Sequence, residues 1–261
     1  MAMPYTDMAA ELYAERRGTV PQGVKTHTAQ AAGIRLTRVD ILRHGLRRAK
    51  GCYITLDMPH FAHIDAQDET FVHAIASQLR ALLPPQGTVL VAGIGNRAVT
   101  PDALGPATAD KVFVTQQSDV QGLALRRVAA VSPGVAGATG LATAQVLRAV
   151  ADKLHPAAIV AVDSLCTATP ARLGCSVQLS NAGLCPQSAP HLTRRTLGAP
   201  VIAIGVPTVT QLAAHGAAHA LLVTPKDIDA IVAHASALLA LALNKALQPA
   251  LSVGELTFLT S

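Results

Sequence analysis

Ala157-Ala-Ile-Val-Ala-Val162 is a short run of small and β-branched apolar residues, introduced by Pro156 and followed at once by an acid, Asp163. Three other runs share its form, Thr88–Ala92, Arg127–Val131 and Val201–Ile204, each followed by a loop containing Gly or Pro. A strand with one wet face alternates apolar and polar residues, whereas a strand buried on both faces reads as a continuous apolar run. Four such runs, separated by loops and helical patterns, predict a parallel sheet covered on both faces. One helix is predicted from Asp68 to Leu83 (Phe71, Val72, Ile75, Leu79, Leu82), closed by Pro84-Pro85, and another from Leu141 to Leu154. A last helix is predicted with Thr224 as N-cap, Pro225 at its first position and Asp227 in its first turn. Toward the N-terminus, Ile34–Ile41 and Cys52–Met58 read as two further strands. The expected fold is α/β: a single domain, residues 18–261, with a mostly parallel sheet flanked by helices. Residues 1–17 are expected to form a polar, partly helical appendage.

The composition narrows what the chain does. Half of its 261 residues are hydrophobic, yet only 3% are aromatic and none is Trp, so the core must be built from Ala, Val, Leu and Ile. The net charge of +5 says little about fold. The basic run Arg35, Arg38, Arg43, Arg47, Arg48, Lys50 lacks the aromatic interleaving on which bases stack. It reads as a solvated face, and no direct nucleic-acid partner is expected. The N-terminus has no apolar run of the signal-peptide kind. The apolar stretch Ala233–Leu243 is shorter than the roughly 20 residues that span a bilayer, so no membrane partner is expected. Cys52, Cys166, Cys175 and Cys185 show no CxxC spacing and read as reduced thiols of a cytoplasmic protein.

Ligands of open parallel sheets bind beyond the carboxyl ends of the strands. Asp102 lies in the loop after Thr88–Ala92 and Asp163 directly follows Ala157–Val162, so both acids can face one crevice. Two neighbouring carboxylates resist ionising together; one keeps a proton while the other activates water. Taken singly, each acid also reads as an ordinary loop cap. The loop Pro133-Gly-Val-Ala-Gly-Ala-Thr-Gly140 precedes a helix, and its free N–H groups (around Gly134, Gly137, Thr139 and Gly140) suit an oxyanion or substrate. A tight strand-to-helix turn is the plainer reading.

Gly93-Ile-Gly95-Asn-Arg-Ala98 imitates a dinucleotide fingerprint, with Asp119 near the spacing of a ribose ligand. Thr100-Pro101 and Gly105-Pro106 interrupt the helix that motif requires, and no cofactor is expected. His60 and His63, with Asp65 nearby, are metal-ligand types, but no second cluster completes a site, and no metal is expected. Cys166 has no base in its sequence neighbourhood and reads as packing.

Gly93-Ile-Gly-Asn-Arg-Ala-Val-Thr-Pro-Asp-Ala-Leu-Gly-Pro106 resembles the signature of the spore germination protease family. Further segments agree in order: Gly33-Ile-Arg-Leu-Thr-Arg-Val39, Tyr53-Ile-Thr-Leu-Asp-Met-Pro59, the loop Pro133–Gly140, Ile159-Val-Ala-Val-Asp-Ser-Leu165, Leu197-Gly-Ala-Pro-Val-Ile-Ala-Ile-Gly-Val-Pro-Thr208 and Val223-Thr-Pro-Lys-Asp-Ile-Asp229. The resemblance implies an endopeptidase that degrades small acid-soluble spore proteins in the spore core at germination. It implies a fold similar to the hydrogenase maturation peptidases, a homotetramer, and a zymogen that removes its own N-terminal segment. The family's two essential aspartates fall on Asp102 and Asp163. Its self-cleavage sequence resembles Thr6-Asp7-Met8-Ala9, implying a cut between Asp7 and Met8 and a propeptide of about residues 1–7. The chain departs from the family in being short between Thr208 and Ala220, in Arg97-Ala98 where aromatics are usual, in Ser164 where Ala is usual, and in Pro186–Arg195. Two other readings stand beside the aspartic peptidase: a metal-dependent peptidase on the same fold, which needs a His or a third acid near the pair, and a non-catalytic binding protein.

Overall fold

The structure, a computed structural model, describes residues 5–14, 20–117, 124–184, 191–212 and 221–260. In chain order its strands are β1 Val24–Ala31, β2 Ile34–Ile41, β3 Gly51–Asp57, β4 Val89–Gly93, β5 Val128–Val131, β6 Ala158–Thr167, β7 Ser176–Ser180, β8 Val201–Leu212 and β9 Leu221–Val223. Its helices are α1 Ala9–Tyr13, α2 Glu69–Leu82, α3 Leu104–Ala109, α4 Ala136–Thr139, α5 Thr143–Leu154, α6 Arg194–Leu197, α7 Ile228–Leu247 and α8 Val253–Thr260.

One sheet carries all the strands, in the order β1-β2-β3-β7-β8-β6-β4-β5, with β9 beside the far end of β8. The expected α/β architecture with helices on both faces is present, and the sheet is mixed. Its parallel part is the four strands β8, β6, β4 and β5; β7, β3, β2 and β1 extend it antiparallel. The antiparallel pairs β1–β2 and β2–β3 are joined by short connections, which antiparallel neighbours allow, whereas parallel neighbours need a long crossover. The β1–β2 turn is two residues, Ala32 and Gly33, both at positive φ, the form that matches the twist of paired strands.

Alternation along β6 fixes what lies where. Ala158, Val160 and Val162 join the core formed with α2, α3, α7 and α8. Ile159 and Ala161 point the other way, into the core formed with α5 and α6. A third cluster, Leu12 and Tyr13 of α1 with Val39, Ile41 and Tyr53, covers the antiparallel end. The N-terminal residues are thus part of the packed molecule, with Met8, Ala9 and Ala10 wholly buried.

Two helix readings change in the structure. Helix α7 is 20 residues long with a mean hydropathy of 1.6, enough by length and composition to cross a membrane, but 72% of that stretch is buried inside the fold. It is apolar nearly all round because it is a core helix. Its N-cap is Asp227 rather than Thr224, whose hydroxyl donates to the Thr208 carbonyl at 2.9 Å.

Candidate active site

Asp163 continues the side of β6 that carries Ile159 and Ala161, one step beyond the apolar layer. Its register neighbour on β8 is Gly205, and the next on β7 is Gln178. The row therefore reads acid, bare backbone, amide across three strands. A Cβ at Gly205 would sit 2.4 Å from the Asp163 carbonyl oxygen, so the gap in the row is obligatory. Asp163, Gly205 and Gln178 line a cavity together with Asp7, Arg48 and Ser164.

Asp102 reaches the same region from the turn after β4, as the last residue of the 3-10 helix Thr100–Asp102. Its carboxylate accepts the Asn96 N–H at 2.7 Å. Gly95 has φ +122°, and a Cβ there would stand 2.0 Å from the Asp102 carbonyl oxygen. The Ile94 N–H donates to the Val162 carbonyl at 2.8 Å, tying this turn to the residue before Asp163. Asp102 lines a second cavity with Tyr5, Asp7, Ser164, Cys166 and Thr208. Asp7, Ser164 and Leu165 line both cavities, so the two adjoin as the halves of one cleft, Asp163 in one half and Asp102 in the other.

The two acids feel each other. Burial first, and then the Asp102 charge, push the Asp163 carboxyl up to about 8; Asp7 adds to the rise, while the Ser164 N–H works against it. At neutral pH Asp163 therefore keeps its proton. Asp102 is also raised by burial, and the Asn96 N–H opposes that rise. The result is an acid and a base held in one cleft, as a paired-carboxylate mechanism requires.

The N-terminal segment lies in this cleft. The Asp7 N–H donates to the Cys166 carbonyl at 2.8 Å, and the Cys166 N–H donates to Asp7 Oδ2 at 2.9 Å. Arg48 pairs with Asp7 Oδ1 at 3.1 Å, and the Tyr5 hydroxyl hydrogen-bonds to the same oxygen. Gln178 donates to the Asp7 carbonyl oxygen at 3.0 Å and accepts the Ala9 N–H at 2.8 Å. Beyond the Asp7–Met8 bond, Met8 is wholly buried and Glu11 accepts the Ala168 N–H at 2.9 Å.

Asp102, Asp163, Asp7 and Met8 are thus brought to one place. Gly134, Gly137, Thr139 and Gly140 are not: they lie beyond the edge strand β5 and none of them lines the cleft. Gln178 stands against the Asp7 carbonyl where that loop was expected to serve. Nothing in the sequence marks Gln178, a polar residue in a five-residue strand. Arg48 was hidden in the basic run, whose members Arg35 and Arg38 do form exposed pairs with Asp57 and Asp40. The Cys166 thiol is pushed up to about 11 by burial and by Asp7 and Glu11, consistent with packing rather than nucleophilic attack. Ser164 Oγ and Thr208 Oγ1 are buried without a hydrogen-bond partner, so the cleft wall holds polar atoms with capacity to spare. Asp119 and Cys185 lie outside the described residues.

A family model described as germination protease matches residues 5–217. Among similar curated proteins, the germination protease of Clostridium acetobutylicum is 32% identical over 317 residues, covering 96% of this chain and 97% of that one. That of Clostridium perfringens is 35% identical over 231 residues, covering 80% and 70%. Among solved structures, the [NiFe] hydrogenase maturation protease HycI from Thermococcus kodakarensis is similar at 15% identity and a TM-score of 0.34, covering 64% of this chain and 98% of that one.

Proposed function

The chain belongs to the germination protease family and is an endopeptidase, and on that premise we propose that it is a self-processing zymogen using Asp102 and Asp163 as a paired-aspartate centre. In this reading the Asp102 carboxylate takes a proton from water, and the resulting hydroxide attacks the peptide carbonyl. Protonated Asp163 steadies the oxygen as it gains charge, and Gln178 Nε2 already donates to the corresponding carbonyl in the N-terminal segment. The intermediate then breaks its C–N bond, and the leaving amine takes the proton that Asp102 removed from water, which returns Asp102 to its carboxylate form.

One observation carries the proposal. The peptide bond that resembles the family's self-cleavage sequence, Asp7–Met8, lies in the cleft that Asp102 and Asp163 line. A metal-dependent peptidase would need a third ligand beside the pair. Among the described residues no histidine lines the cleft, and the third acid there is Asp7, on the segment to be cut. The substrates proposed, by family membership, are small acid-soluble spore proteins in the cytoplasm of the spore core, with the homotetramer as the working assembly.

The test is to incubate the purified chain at mildly acidic pH and sequence the new N-terminus. A terminus at Met8 is expected, unaffected by chelator and absent in Asp102→Asn and Asp163→Asn. The Gln178→Ala variant should still process, but about a hundredfold more slowly, the scale of losing one oxyanion donor. A cut elsewhere, or a Met8 terminus that persists without both acids, would sink the mechanism.

A further inference from the structure

Away from the cleft, His60 is the N-cap and His63 the last residue of the 3-10 helix Phe61–His63, and the fold brings Asp227, the N-cap of α7, against them. One ligand atom from each of the three lies within 4.8 Å of the other two. His60 Nδ1 is 3.7 Å from Asp227 Oδ2, beyond hydrogen-bond length, and this buried atom has no hydrogen-bond partner. Two donors on one tetrahedral zinc, each at about 2.05 Å, stand roughly 3.3 Å apart. The separation is nearer to that of two ligands sharing an ion than to a hydrogen bond. Asp227 makes no cap hydrogen bond, although capping is the usual use of an aspartate at that position.

We infer that His60, His63 and Asp227 form a binding site for a divalent ion of the zinc class, distinct from the Asp102–Asp163 cleft. Two imidazoles and one carboxylate suit zinc, with a fourth position left to water, whereas calcium and magnesium take oxygen ligands. The turn is already held: the Phe61 N–H donates to the Gly174 carbonyl at 2.7 Å, and His234 Nδ1 lies 2.8 Å from the Phe61 carbonyl oxygen. The two imidazole rings are 5.5 Å apart. Asp65, the nearby acid in sequence, instead accepts the Gln67 N–H at 2.9 Å and closes its own turn. Asp227 follows His63 by 164 positions in the chain (227 − 63), so the third ligand is invisible to local spacing.

The site's role follows from what lies beneath it. Ile228, Ile231 and Val232 of α7 pack with Ala62, between the two histidines, and with Ala103, next to Asp102. A bound ion would clamp the start of α7 to the turn at Phe61 and so steady the floor under the Asp102 turn. This inference does not depend on the peptidase mechanism, because its readouts are binding and stability.

Full-length protein stripped of metal should bind one equivalent of Zn²⁺ in calorimetry and gain thermal stability that rises with the logarithm of free Zn²⁺ above its dissociation constant. His60→Ala, His63→Ala and Asp227→Asn should each weaken binding at least about tenfold, since even outer-shell partners of metal ligands cost that much. The His73→Ala variant, whose ring pairs with Glu69 on α2, should bind as the native chain does. Circular dichroism of the metal-free variants checks their folding, and the nearly isosteric Asp227→Asn keeps the test open should a histidine variant fail to fold. No zinc binding by the native chain, or equal binding by all three variants, overturns the site.

Discussion

At the scale of single residues, Asp163 holds a proton in the folded chain that the unfolded chain would release, because burial and Asp102 lift its pKa to about 8. The stability tied to that proton is complete below the ordinary aspartate pKa of about 4 and is lost as pH rises through about 8. Asp163→Asn has no such proton to lose. Its thermal midpoint is expected to exceed that of the native chain by a margin that widens between about pH 4 and pH 8 and then levels off. Parallel pH profiles for the two proteins would refute the shift. The same residue shows what the sequence made legible. An acid directly after a buried apolar run is visible in one dimension, although β6 runs on through Asp163 to Thr167 instead of ending before it. Asp102, in the loop after another such run, is visible in the same way. Their partners are not, since Gln178 and Arg48 acquire meaning only when β7 and the turn before β3 come to lie beside the N-terminal segment.

At the scale of elements, the turn after β4 is the least tolerant joint of the cleft. Gly95→Ala would force a side chain into φ +122° with its Cβ 2.0 Å from the Asp102 carbonyl oxygen. A loss of about 2 kcal/mol in denaturant unfolding is expected, in the upper part of the range for point changes, together with loss of processing. Gly137→Ala in α4 is the control, because a Cβ there meets nothing within 4 Å; it should leave processing intact, and a defect there would restore the loop Pro133–Gly140 as part of the site. The strands that sequence revealed are β2, β3, β4, β5, β6 and β8, each with an apolar run or an alternating apolar face; β4, β6 and β8 lie inside the sheet, where composition is forced, and β5 at its edge. β1 escaped notice because all its residues after Val24 are exposed, leaving no apolar face to betray it. β7 escaped because it is five residues long with three polar side chains, all buried.

At the scale of the whole molecule, the antiparallel half of the sheet and α1 hold the N-terminal segment against the parallel half that carries the acids. The segment enters its own chain's cleft with Asp7 fastened on Cys166, Arg48 and Gln178, while Met8 to Tyr13 are buried on the far side of the bond. A bond held in that way has its reaction partner permanently at hand. Processing should accordingly be first order, with a half-time unchanged across a wide dilution series; a half-time that lengthens on dilution would mean that one molecule cuts another. The same docking sets a sequence of events in time. An outside polypeptide competes for a place already filled, so turnover of added substrate should begin with a lag equal to the time taken to vacate it.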